Sequence, residues 1–176
     1  MQVFVDGRAP GYLRPFYGGG SLVGMAKDGK PLDEDARPLV VGEVWRRLAC
    51  KVALAGEKGQ LRERLGKEQL AVGVPAGAEV AVHMLRQFCA RHLGNTKTVL
   101  LKVDYENAFN EADEHELLCA CYEDMPSCAR LAEWLYGEPV FMSYNGEKVE
   151  SSKGQQGCPL MMPIEILCVD CWQRSS

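Results

Sequence analysis

Two hydrophobic periods run along this chain, and the places where they change mark its elements. Residues 43–55, EVWRRLACKVALA, set Val44, Leu48, Val52 and Ala55 on one helical face, with Arg46, Arg47 and Lys51 largely elsewhere. Pro75 opens a second helical pattern, AGAEVAVHMLRQFCARHLG, with Val80, Met84, Leu85 and Phe88 as its stripe and Gly94 at its end. Thr98, Val99, Leu100, Leu101 and Val103 are β-formers and predict a strand over 98–103 that closes on Asp104. Two more helices are predicted over 111–122 and 126–136, the second opened by Pro126. FMSYNGEKVESS has the pattern of a hairpin with Asn145-Gly146 as a type I′ turn, and the segment after Pro163 has that of a helix. Ahead of all these, residues 1–36 are rich in Gly and Pro and predict a strand or two with loops, ending at Pro38.

The resulting order is a strand-rich lead, helices, a central strand, helices, a hairpin and a helix. It predicts a mixed α/β (α+β) fold without regular βαβ alternation. Nothing repeats, and no phosphate-binding glycine loop is present: FYGGGSLVG has glycines at the wrong spacing and reads as a flexible turn.

Composition changes this picture only at its edges. A chain of 176 residues, 47% hydrophobic and 25% charged, has the size and balance of one globular domain. No run of 18 apolar residues exists, so no membrane partner is expected. The start, MQVFVDGRAP, lacks the basic and apolar regions of a signal peptide. The expected location is therefore intracellular, cytoplasmic or nuclear, and not secreted.

Charge is uneven. Residues 37–102 hold 12 Lys/Arg against 5 Asp/Glu, whereas 103–176 hold 4 against 14. A basic middle suits phosphates and an acidic second half suits a metal, although solvated helix faces also segregate charge. Eight cysteines without a secretory signal indicate reduced thiols. Cys119/Cys121 and Cys168/Cys171 invite a zinc reading. Ordinary buried thiols explain them better, because a helical pattern points Cys119 and Cys121 apart and no second compact pair completes a site. His83, His92 and His115 have no adjacent partners, and His83 and His92, nine residues apart on one helix, read as surface or groove residues.

Two stretches carry chemistry. Asp104 ends an apolar strand, where a carboxylate can offer a hard oxygen to Mg²⁺; it can equally cap the next helix. In SSKGQQGCPL, Gly154 and Gly157 bracket Gln155 and Gln156 ahead of Pro159. A glycine-framed glutamine can donate to a sugar or base while the backbone comes close, or the stretch is simply a loop before a helix.

RPLVVGEVWRRLACK, QLAVGVPAGAEVAVHMLRQF, VLLKVDYENAFN and QQGCPL occur in that order. Together, over about residues 10–163, they resemble the reverse transcriptase domain of non-LTR retrotransposons, an RNA-directed DNA polymerase. The resemblance implies the fingers and partial palm of a right-hand polymerase, with residues 1–95 fingers-like and 96–176 partial palm. It implies Mg²⁺ on Asp104, with the Tyr105 carbonyl as a further oxygen. Arg37, with Lys27 as a looser match, would grip the triphosphate, as guanidinium suits phosphate. Phe109 would exclude a 2′-hydroxyl by clash, and Gln156 and Gly157 would lie against the incoming dNTP. Arg46, Arg47 and Lys51 would face the phosphates of an RNA template and DNA primer.

The chain departs from the family in three places. The aromatic-Ala-Asp-Asp hairpin expected some tens of residues after the glutamine loop is missing, and no Asp-Asp pair occurs anywhere; Asp170 matches no motif. KGQQG is one residue shorter than the family's loop, and similarity fades over the tail, 164–176. Phosphoryl transfer needs converging acids on two metals, so the expectation is a catalytically inactive fragment. The alternative is a remnant that binds RNA or protein without catalysis.

Overall fold

A computed structural model describes residues 1–26, 31, 36–65, 69–70, 72–103, 108, 112–151 and 154–175, with side chains through 169. The chain forms two compact units, one of residues 1–57 with 107–176 and one of residues 58–106.

The larger unit is built on a four-stranded sheet. Strands β1 (Gly20–Ala26) and β2 (Ala36–Gly42) pair antiparallel, from Gly20 opposite Gly42 to Ala26 opposite Ala36. Strands β3 (Val140–Tyr144) and β4 (Glu147–Ser151) form the predicted hairpin, also antiparallel. Asn145 and Gly146 both take positive φ, 51° and 84°, as the type I′ turn requires. The hairpins join where β1 runs parallel to β3 at Gly20/Met142 and Ser21/Ser143, giving the order β2-β1-β3-β4.

The lead is more structured than its Gly and Pro content predicts. It carries short helices α1 (Gln2–Val5) and α2 (Arg14–Tyr17), with a 3-10 turn at Gly11–Leu13. Strand β2 also continues through Pro38, where an end was expected. The reason is positional. β2 is an edge strand, and the Val40 N–H two residues on points outward to the Gln156 carbonyl at 2.8 Å. The Pro38 nitrogen shares that outer side, so the ladder to β1 loses no bond.

Helix α3 (Val44–Leu65) follows β2 directly and extends well past the predicted end at residue 55. Within the larger unit the core forms among three further helices. These are α5 (Glu114–Asp124), α6 (Pro126–Tyr136) and α7 (Met161–Ser175), with α5 against both of the others. The Asp113 carboxylate caps α5, accepting from the backbone N–H of His115 at 2.9 Å and of Glu116 at 3.2 Å. Pro126 starts α6, as its missing N–H predicts. Leu131, Leu135, Leu160, Met161, Ile164 and Leu167 are fully buried. Trp134 ties α6 to the lead: its indole N–H donates to the Ala9 carbonyl at 2.7 Å, and Phe4 meets it edge-on at 5.7 Å.

In the smaller unit, α4 (Gly77–Arg91) forms as predicted, and Gly94 beyond its end has φ 79°. Its apolar stripe nevertheless stays exposed at Val80, Met84, Leu85 and Phe88. The predicted strand over 98–103 does not form. Those residues have no strand pairing, and Val99 and Leu101 are 82% and 80% exposed. β-formers make a strand only where a neighbouring edge takes their backbone bonds, and among the described residues the four strands pair with one another alone.

No helix among the described residues is long and apolar enough to cross a membrane.

Candidate functional site

The buried face of α3 is not the face its apolar periodicity predicts. Val44, Leu48 and Val52 are exposed, while Arg46, Ala49, Cys50, Ala53 and Glu57 are buried. This stripe also has helical spacing, but two of its members are charged. Small side chains at 49, 50 and 53 let the helix come close, and the two charged ends reach partners far away in sequence.

Arg46 is the centre of this arrangement. It is 2% exposed, and one terminal nitrogen donates to both the Gly18 carbonyl and the Gln155 side-chain oxygen. The other donates to the Tyr136 hydroxyl at 3.0 Å, and the guanidinium lies 5.4 Å from the Tyr136 ring centre. The Gln155 amide N–H also approaches the Gly18 carbonyl, at 3.4 Å. One cation thus joins the lead, α3, the end of α6 and the glutamine loop. This corrects the expectation that Arg46 faces template or primer phosphates: its side chain is buried and both terminal nitrogens donate inside the protein, out of a polyanion's reach. Arg47 and Lys51, also on α3, are exposed. Glu57 is buried as well and accepts from the Ser127 hydroxyl.

The glutamine loop divides its two glutamines. Gln155 is 1% exposed and held by Arg46, while Gln156 is half-buried and its carbonyl accepts from Val40 N–H. Gly157 must be glycine. Its φ is 107°, and a Cβ there would lie 2.6 Å from the Val40 carbonyl oxygen and 3.2 Å from a Leu39 methyl. The loop is therefore pressed onto the outer edge of β2, the strand that also carries Arg37, which is exposed.

Two thiols complete the cluster. The Cys50 and Cys158 sulfurs are 3.9 Å apart, Cys50 buried on α3 and Cys158 half-buried beyond Gly157. The hydrogen bond with the Cys50 thiol holds Cys158 well below the usual thiol range. Arg46, the Tyr136 hydroxyl and the Leu160 backbone amide add to this, and burial opposes it. The same bond and burial push Cys50 far up. Burial also raises Cys121, to about 12, and Cys128, to about 11, as expected for inert core thiols. Cys119 is exposed where Cys121 is buried, the divergence the helical pattern predicts.

Lys27, Asp104, Tyr105 and Phe109 lie outside the described residues. Arg37, Arg46, Arg47, Lys51, Gln156 and Gly157 are described, and of these the fold brings the Arg46 region and the glutamine loop together. Among the described residues no three His, Cys, Asp or Glu converge to hold a metal, and the sequence has no Asp-Asp pair to stand beside Asp104. A separate cleft of about 670 Å³ is lined by Arg14, Tyr122, Arg130, Glu133 and Trp134 and contains none of the expected site residues.

Sequence reasoning missed Gly18, Cys50, Tyr136 and Cys158 as members of one cluster. The signal available was weak: adjacent glutamines in an extended loop face opposite ways, so one of the pair is expected to turn inward. No family model matches the chain, and no curated protein matches it.

Proposed function

We propose that residues 1–176 are the fingers and part of the palm of an RNA-directed DNA polymerase of the non-LTR retrotransposon type, and that a chain of these residues alone does not polymerise. The observation that carries this reading is the seating of Gln156–Gly157 on β2. The stretch with Arg37-Pro38 and the stretch QQGCPL stand at opposite ends of the motif order, and they lie side by side in the fold, joined by the Val40–Gln156 bond. A nucleotide site needs this kind of convergence: an exposed guanidinium for phosphate and a glycine-framed backbone for close approach.

In this reading Arg37 and Lys27 contact the triphosphate, and Gln156 and Gly157 line the nucleotide. Phe109 selects against a 2′-hydroxyl, and Asp104 with the Tyr105 carbonyl offers oxygen to Mg²⁺. Arg47 and Lys51 meet template or primer phosphates. The Asp-Asp pair that would complete a metal site has to come from sequence outside these residues.

The test is primer extension on an RNA template with Mg²⁺ and dNTPs. Residues 1–176 are expected to incorporate nothing. The chain completed with the coding sequence beyond codon 176, in whichever frame supplies an aromatic-Ala-Asp-Asp segment, is expected to extend the primer. Asp104→Asn in the completed chain is expected to lower the rate by about 10²–10³-fold or more. Extension by residues 1–176 alone, or full activity in the Asp104→Asn chain, would sink the reading.

A second reading has its own observation: Arg47 and Lys51, one turn apart, are exposed on α3 beside exposed Leu48 and Val52. Such a face suits a non-catalytic RNA- or protein-binding remnant. An RNA association constant whose logarithm falls linearly with log salt, and less steeply in an Arg47→Ala/Lys51→Ala chain, supports it; no RNA or protein capture at low salt counts against it.

A further inference from the structure

We propose that Cys50 and Cys158 form a reversible, peroxide-responsive thiol pair that covalently links α3 to the glutamine loop when oxidised. The proposal does not rest on the polymerase reading. It rests on geometry: two sulfurs 108 positions apart in sequence lie 3.9 Å from each other, one on a buried residue and one on a half-buried residue. Closing them to a bond of about 2.0 Å is a shortening of about 1.9 Å.

The surroundings give the two sulfurs different roles. Cys158 is beside the Arg46 guanidinium and the Tyr136 hydroxyl, which favour its thiolate. Cys50 keeps its proton and sits on the inner side. The thiolate on the half-buried residue is the attacking group and the thiol on the α3 residue the resolving one.

The oxidant is a peroxide. The Cys158 thiolate attacks one peroxide oxygen; the O–O bond breaks, Cys158 becomes a sulfenic acid and hydroxide leaves, to be protonated to water. Cys50 then attacks the Cys158 sulfur. The S–S bond forms, the S–O bond breaks, and the second water leaves with the Cys50 proton. The two thiols lose two electrons, and the peroxide is reduced to two waters. A thiol reductant reverses the bond by exchange.

Oxidation fixes the backbone next to Gly157 to the helix that carries Arg46. The loop that now rests on β2 through the Val40–Gln156 bond is then tied from both sides.

The test uses the full 176-residue chain in native buffer with hydrogen peroxide near stoichiometry. The products are alkylated, digested and read by tandem mass spectrometry. The expected product is a Cys50–Cys158 cross-linked peptide lacking two hydrogens, formed ahead of oxidation at the exposed Cys89 and Cys119 and removed by reductant. In Cys50→Ser the expected product is a Cys158 sulfenic acid trapped by dimedone. The preference is expected to vanish when peroxide is added in urea. Oxidation of Cys89 or Cys119 while Cys158 remains alkylatable overturns the proposal, as does a preference that persists in urea. The wild-type measurement decides the matter even if Cys50→Ser fails to fold.

Discussion

Helices α4 and α6 carry comparable apolar stripes and meet opposite fates. On α6, Cys128, Ala129, Leu131, Ala132, Trp134, Leu135 and Tyr136 are all buried. On α4, Gly77 is buried while Val80, Val82, Met84, Leu85 and Phe88 remain exposed. The 98–103 run repeats the contrast with strands β1 to β4: its β-formers are as strong, yet no edge pairs with them. A periodic stripe states which face wants burial; it does not supply the surface that buries it. In the larger unit that surface comes from segments far apart in sequence, such as α1 against α6 and α5 against α7. The exposed apolar run of the smaller unit is the feature most prone to self-association.

The largest effect is expected at Arg46, where the contrast is sharpest within one helix. Arg46→Ala leaves the Gly18 carbonyl, Gln155 and Tyr136 without their donor in a buried place. The expected loss is about 3 kcal/mol or more in urea denaturation, against less than about 0.5 kcal/mol for the exposed neighbour Arg47→Ala. Equal effects at 46 and 47 would dissolve the distinction between a buried structural cation and a surface one.

Next is the comparison of the two helical stripes. Leu135→Ala on α6 removes a side chain 1% exposed and is expected to cost about 2–5 kcal/mol. Phe88→Ala on α4, a residue 37% exposed, is expected to cost well under half of that. Hydrogen exchange offers a parallel check, with amides of 98–103 exchanging early and those of α6 late. A large cost at Phe88 or protection at 98–103 would mean that the smaller unit has a core of its own.

Gly157→Ala should come third, at about 1–3 kcal/mol, because φ 107° and the Val40 carbonyl both exclude a Cβ. Gly146→Ala, at φ 84° with open space around it, meets only the conformational penalty and is expected to cost less.

Smaller still is a pair of pH effects. Cys158 ionises below the ordinary thiol range, so its alkylation rate in the native chain should fall less between pH 8 and 7 than it does in the unfolded chain. In urea it should fall about eightfold over that unit, as a thiol with pKa near 8.5 does. Glu165, on α7, has its pKa raised by burial, so its charged form is disfavoured in the fold. Glu165→Gln is therefore expected to raise the Tm slightly at pH 7. The gain should disappear below the unfolded pKa of about 4.3, where both states are protonated.

The sequence by itself determined the elements whose signals are local. The Asn145-Gly146 turn is set by two residues that accept positive φ. The α6 start is set by Pro126, and the α5 cap by an aspartate two to three residues ahead of the amides it binds. The stripe of α6 was readable because every buried member is apolar or aromatic. The glycine requirement at 157 was readable as a close approach, though not what approaches.

Tertiary structure alone decided the face of α3, the absence of a strand at 98–103 and the composition of the Arg46 cluster. The reason is the same in each case. Burying Arg46 is tolerable only because the Gly18 carbonyl, the Gln155 side chain and the Tyr136 hydroxyl converge on it, the second from 109 positions away. A period count assigns a charged residue to the surface because burial of an unpaired charge is costly, and pairing depends on residues it cannot see. A strand likewise needs a partner edge, and a run of β-formers carries no information about whether one is near. Local chemistry fixed what each segment can do, and the long-range partners fixed which of those options this chain takes.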